Sequence, residues 1–137
     1  EAWWAKRADE LGWTVDQEVP ADSPYRMAAV LAAEMHQAPV VILAFAPGPP
    51  AATASSVFPA CQNLMLAARA LGLGSVLTTL HPSVMERVYT LLGLPDDVSF
   101  HACIPLGRPR GRFGPTRRRP TAETTMWDAW GSPPPWA

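Results

Sequence analysis

Gln62-Asn63-Leu64-Met65-Leu66-Ala67-Ala68-Arg69-Ala70-Leu71-Gly72-Leu73-Gly74-Ser75-Val76-Leu77-Thr78-Thr79-Leu80 changes its apolar period at the glycines. Upstream, Phe58, Cys61, Leu64, Met65, Ala68 and Leu71 fall on one side of a 3.6-residue repeat. They predict a helix with that stripe buried and with Gln62, Asn63 and Arg69 elsewhere on its surface. Gly72 suits a left-handed C-terminal cap. Downstream, the two Thr and one Val of Gly74–Leu80 favour a pleated backbone and predict a strand. A helix that hands over to a strand across two glycines implies a mixed helix and sheet core.

Working toward the N-terminus, Ser55-Ser56 offers caps for that helix, and Pro59 is expected within its first turn, where its missing N–H costs nothing. Val40–Ala46 is uninterrupted and apolar between Pro39 and Pro47-Gly48-Pro49-Pro50. It predicts a strand buried on both faces and central in its sheet. Tyr25–Gln37 carries a helical period, with Ser23 as cap and Pro24 as first helical residue. Trp3, Trp4, Ala8 and Leu11 suggest a further helix that Gly12 ends. Toward the C-terminus, His81-Pro82-Ser83 opens a short helix over Val84–Leu92 with Val84, Val88, Leu91 and Leu92 inward, closed by Gly93. Val98–Leu106 follows as a third strand with Val98, Phe100, Ala102, Ile104 and Leu106 on one side.

Residues 1–120 are expected to form one domain. In a chain of 137 residues, 48% hydrophobic and 17% charged side chains suit one compact core. Residues 121–137, with Trp127, Trp130 and Pro133-Pro134-Pro135, read as an extended arm. The formal net charge of -1 conceals a basic patch, because six of the eleven Lys and Arg residues lie between Arg108 and Arg119. Cys61 and Cys103 sit in apolar segments, so a disulfide framework is not expected and a reducing cytoplasm is. The apolar run Pro39–Ala46 is far shorter than the roughly 20 residues a membrane-spanning helix needs, so no membrane partner is expected. No charged-then-apolar leader opens the sequence, and no signal peptide is expected.

Most catalytic signatures are missing: there is no Gly-x-Ser-x-Gly, no Walker loop, no Cys-x-x-Cys and no His-Glu-x-x-His. His36, His81 and His101 are widely spaced and lack clustered carboxylates, so no metal site is expected. His36 reads as a capping or surface residue, and His101 as an interior or edge side chain. On periodicity alone, Thr78, Thr79 and Leu80 are an ordinary buried strand and Arg108–Arg119 a solvated loop.

The ordered set is more informative than its parts. Gln62-Asn63-Leu64 through Gly74-Ser75, the strand to Leu80, Leu92-Gly93-Leu94-Pro95, Pro105-Leu106-Gly107-Arg108-Pro109 and Arg118-Arg119-Pro120 together resemble the C-terminal half of the FMN-dependent nitroreductase family. The resemblance runs from about His36 to Trp130. It implies an α+β fold, a three-layer α/β/α arrangement around a mostly antiparallel sheet, and a homodimer with FMN at the subunit interface. It implies that Leu77, Thr78, Thr79 and Leu80 lie along the flavin, main-chain N–H groups of Thr79 and Leu80 facing its N5 edge. Arg118 matches the residue that holds the FMN phosphate, a role suited to a permanently charged guanidinium. NADH or NADPH would donate hydride, and a nitroaromatic, quinone or related small molecule would accept electrons. No catalytic side chain is required for that exchange. The family's N-terminal Arg-rich phosphate motif has no counterpart here, so the domain is expected to be N-terminally incomplete.

Two other classes compete with this expectation. Arg108-Pro109-Arg110-Gly111-Arg112-Phe113-Gly114 resembles a short RNA-contacting segment, but a pI of about 6.3 argues against a dedicated nucleic-acid-binding domain. Alternatively, the chain is a non-catalytic dimerisation or interaction module that docks through its tryptophan-rich tail and retains no flavin.

Overall fold

The computed structural model describes residues 10, 23, 25–79, 81–115 and 118–136. The helix expected over Ala2–Leu11 lies outside them, apart from Glu10. Helix α1 (Arg26–Glu34) runs into a 3-10 turn, Met35–Gln37, and then strand β1 (Val40–Pro47). Helix α2 (Pro50–Ala70) leads to the short strand β2 (Gly74–Ser75). A 3-10 turn at His81–Val84, helix α3 (Met85–Leu92) and strand β3 (Val98–Gly107) complete the core. The three strands form an antiparallel sheet in the order β1-β3-β2.

That order corrects the expectation for Val40–Ala46. β3 occupies the centre and is buried continuously from Ser99 to Pro105, whereas β1 flanks it and is half-buried or exposed. An apolar run signals burial but not which of two such runs lies innermost. Among the described residues, Ile104 is the largest side chain fully removed from solvent.

The face assignment within β3 also differs. Ala44 pairs with Ala102 but Phe45 pairs with Phe100, so β3 holds one extra residue, His101, at a bulge. Paired residues share a face, and Phe45 points opposite to Ala44. Phe100 is therefore turned away from Ala102 and Ile104, and strict alternation fails. On its own face Phe100 stacks on Phe45 at 4.6 Å between ring centroids. Tyr89 of α3 stands edge-on to Phe45 and its hydroxyl donates to the Val98 carbonyl. This contact selects the inward side of α3, leaving Leu91 and Leu92 exposed where the sequence placed them inward.

α2 covers the other face, where Cys61 and Ala68 are buried and Leu64 and Met65 half-buried. Phe58 and Leu71 belong to the predicted stripe, yet Phe58 is 39% and Leu71 79% exposed. The helix begins at Pro50, not beyond Ser55-Ser56, so Pro59 lies in its interior. Pro59 and Ser55 are both exposed, so water can satisfy the Ser55 carbonyl that would otherwise accept from residue 59. The C-terminus closes as anticipated. Gly72 takes φ +75°, its N–H donates to Arg69 at 3.1 Å, and the Leu73 N–H donates to Ala68 at 2.9 Å. This double bond pattern needs a residue that tolerates the left-handed region.

Candidate functional site

The second strand was expected to run to Leu80, but regular pairing stops at Ser75 and resumes only at a bridge between Thr78 and Cys103. The register does not slip. Gly74 opposes Gly107, Ser75 opposes Leu106 and Thr78 opposes Cys103, so Val76 falls opposite Pro105. Thr78 and Cys103 exchange both main-chain bonds, each 2.9 Å. Two residues along, the next such pair would need an N–H from Pro105, which has none. The missing donor faces β2, and the β1 ladder on the other side is intact through Val41 opposite Pro105.

Past that interruption, the Thr78–Cys103 bridge holds the strand in place. Thr78 is buried, Leu77 half-buried and Thr79 exposed; Leu80 lies outside the described residues. Because main-chain groups alternate in direction along an extended chain, those of Leu77 and Thr79 point away from β3 toward the outer edge of the sheet. The structure thus brings Leu77, Thr78 and Thr79 together as an edge with a fixed inner side and a polar outer side.

Behind this edge, Cys103 is buried and burial pushes its thiol up from the ordinary value of 9.0. A raised thiol pKa favours the neutral form in the folded chain, so its stabilising effect is complete below pH 9 and is lost as pH rises through the folded value. We expect denaturation midpoints to fall above about pH 9 and the fall to shrink in Cys103→Ala, measured by urea unfolding across pH. An equal fall in both proteins would show that Cys103 is not the group responsible.

His101 is interior, as its place in a strand suggested. The bulge turns it onto α2, where its Nε2 lies 2.8 Å from Thr53 Oγ1 and its ring meets Phe58 edge-on. Thr53 Oγ1 also lies 3.1 Å from the Pro49 carbonyl, to which it donates. His101 therefore ties the start of α2 to the centre of the sheet. His36 caps the end of α1, its Nδ1 3.0 Å from the Ala33 carbonyl.

Arg118 lies exposed in the irregular stretch after β3. That stretch is anchored at its beginning. The Arg69 guanidinium lies 3.3 Å from the Phe113 ring centroid, and Arg110 donates to Gln37 Oε1 at 3.4 Å. The tail beyond forms a 3-10 turn at Thr121–Glu123 and a closed loop in which the Trp127 N–H donates to Ser132 and the Trp127 and Trp136 rings meet edge to face. Among the described residues no cluster of three His, Cys, Asp or Glu could hold a metal ion, and no helix is long and apolar enough to cross a membrane.

The donor set at the Leu77–Thr79 edge, main-chain N–H groups beside one exposed hydroxyl, is compatible with a planar heteroaromatic ligand that presents acceptors along one edge. A match to the Nitroreductase family model covers residues 4–108, which include β1 to β3 and this whole edge. The chain belongs to the nitroreductase family. The match begins well before His36, where the resemblance starts in the sequence, and it ends ahead of Arg118. Among solved structures, the chain is similar to a Parabacteroides distasonis ATCC 8503 protein named as an NADH dehydrogenase/NAD(P)H nitroreductase. The two share 28% identity with a TM-score of 0.53, over 66% of this chain and 55% of that one. The chain thus spans little more than half the length of that nitroreductase. The α+β fold with an antiparallel sheet agrees with the family assignment, and the family is one of oxidoreductases.

Sequence reasoning missed the break at Pro105 and the bulge at His101. The first was legible, because a proline inside a predicted strand removes one ladder donor. The second was not, since a bulge is a property of two strands paired together.

Proposed function

We propose that this chain supplies the sheet-edge portion of an FMN-dependent oxidoreductase that passes electrons from NADH or NADPH to a nitroaromatic, quinone or related acceptor. The observation that supports this reading is the outward-facing main chain at Thr79, immediately beyond the fixed Thr78–Cys103 bridge. When bound, FMN would supply the hydride and electron-transfer chemistry. The protein's part is to bind and orient. In this assignment the Thr79 N–H and hydroxyl would hold the N5 edge, where a preorganised donor steadies an electron-rich nitrogen, and the resemblance assigns Leu80 to the same edge. Leu77 packs alongside, and Thr78, buried against Cys103, holds the strand still. Arg118 pairs with the phosphate, and a second copy of the chain completes the site from across a dimer interface. The buried thiols of Cys61 and Cys103 suit a reducing compartment such as the cytoplasm.

The test is retention of FMN through dialysis, followed by absorbance and by quenching of flavin fluorescence. Retained flavin that bleaches on addition of NADH or NADPH is the expected result. A colourless but folded oligomer would instead favour the interaction-module reading, for which the exposed Trp127, Trp130 and Trp136 offer a docking surface.

A further inference from the structure

A second concave surface lies between α1 and the Gly74–Gly107 end of the sheet. Its volume is about 530 Å³, within the roughly 300–1,000 Å³ range of small-molecule sites. Met27 and Val30 from α1, Met35 from the 3-10 turn after it, Val76 just past β2 and Leu106 of β3 make it apolar. Arg108 and Arg110 border the same groove. Val76, which lines the groove, directly precedes Leu77, so the groove adjoins the Leu77 end of the proposed flavin edge, with Thr79 beyond it.

Arg110 is tethered there by a side-chain hydrogen bond, while Arg108 is exposed at the groove's border. Pro109, between the two arginines, lies against β2, its Cβ 3.6 Å from where a Cβ at Gly74 would stand, an ordinary contact distance. Arg110 donates to the neutral amide of Gln37, and Phe113 just beyond is clamped by Arg69. The basic segment is thereby fixed over an apolar floor, unlike a solvated loop. Glu34, which also borders the groove, comes from the last residue of α1.

We propose that this groove binds a small amphipathic anion, an aromatic or branched aliphatic body bearing one carboxylate. The body covers the Met27–Val30–Val76 floor and the carboxylate pairs with Arg108 and Arg110, whose planar donors match it. The apolar floor alone would accept neutral hydrocarbons equally, and the arginines alone would accept inorganic anions equally. Their adjacency selects a molecule with both features.

Calorimetric titration of the full chain with 2-naphthoate, with its neutral analogue 2-naphthylmethanol and with inorganic phosphate tests this without any flavin. We expect 2-naphthoate to bind at least about tenfold more tightly than either comparison compound, the gain of a charge-assisted pair over an apolar contact alone. Arg108→Gln/Arg110→Gln should abolish that preference while leaving the thermal midpoint unchanged, and Met27→Glu, on an exposed floor residue, should weaken both naphthyl compounds. Equal binding of 2-naphthoate and the alcohol, or 2-naphthoate affinity unchanged in the double variant, would overturn the proposal. So would the absence of 2-naphthoate binding to a folded chain.

Discussion

Ile104→Ala should lower the free energy of unfolding by about 2–5 kcal/mol, the range for removing a large aliphatic side chain from a core. Ile104 is 0% exposed, lies in the central strand and pairs with Ile42. It also borders a recess of about 300 Å³ between the sheet and α2, with Cys61 and Leu64 on the helix side. Truncation would enlarge a space that is already imperfectly filled, and the main chain around it is held by pairing with β1 and by the neighbouring Thr78–Cys103 bridge. Since single domains are stable by only about 5–15 kcal/mol, such a loss removes a large share of the total. Urea unfolding should show a lower midpoint with an unchanged slope. A loss under about 0.5 kcal/mol, the range of ordinary surface substitutions, would mean that the core is centred elsewhere.

Arg118→Ala should weaken FMN binding by about tenfold to a hundredfold, since a charge-assisted hydrogen bond contributes about 1.5–3 kcal/mol. The fold should be unaffected, because Arg118 is exposed in an irregular segment. Fluorescence titration of FMN into both proteins measures the change, and added salt should weaken the parent more than the variant as counterions screen the phosphate. Riboflavin, which lacks the phosphate, should bind the two proteins alike. If FMN affinity is the same in both, another group holds the phosphate and the assignment of Arg118 fails. That result would leave the Thr79 edge assignment standing, as the two contacts lie on different parts of the ligand.

These two residues illustrate what could be read at different levels. The buried helix stripe was visible because Cys61, Leu64, Met65 and Ala68 repeat at the helical period, and all four do face inward or partly inward. Leu71 extends the same period but falls at the helix end, where the chain turns outward at Gly72. The strand boundaries of β1 and β3 were read almost to the residue from apolar runs and flanking Pro and Gly. Their order in the sheet was not legible, because both runs are apolar and pairing is a long-range choice. The candidate edge at Leu77–Thr79 was identified by resemblance, whereas its division into a buried Thr78 and an exposed Thr79 emerged only from pairing with Cys103. The groove bordered by Arg108 and Arg110 had no local signal, since its walls are about 30 to 80 positions apart along the chain.

By itself the sequence determined the kinds of element, the left-handed cap at Gly72, the lack of a long apolar helix, and a likeness to the nitroreductases. Tertiary structure alone decided that β3 is central, that His101 bulges onto α2, and that a basic segment borders an apolar groove. The division has a physical cause. Period, capping and turn chemistry act over a few neighbouring residues and are written in local composition. Strand order, register and concave surfaces depend on which distant segments exclude water together, and many sequences with the same local pattern could pair differently.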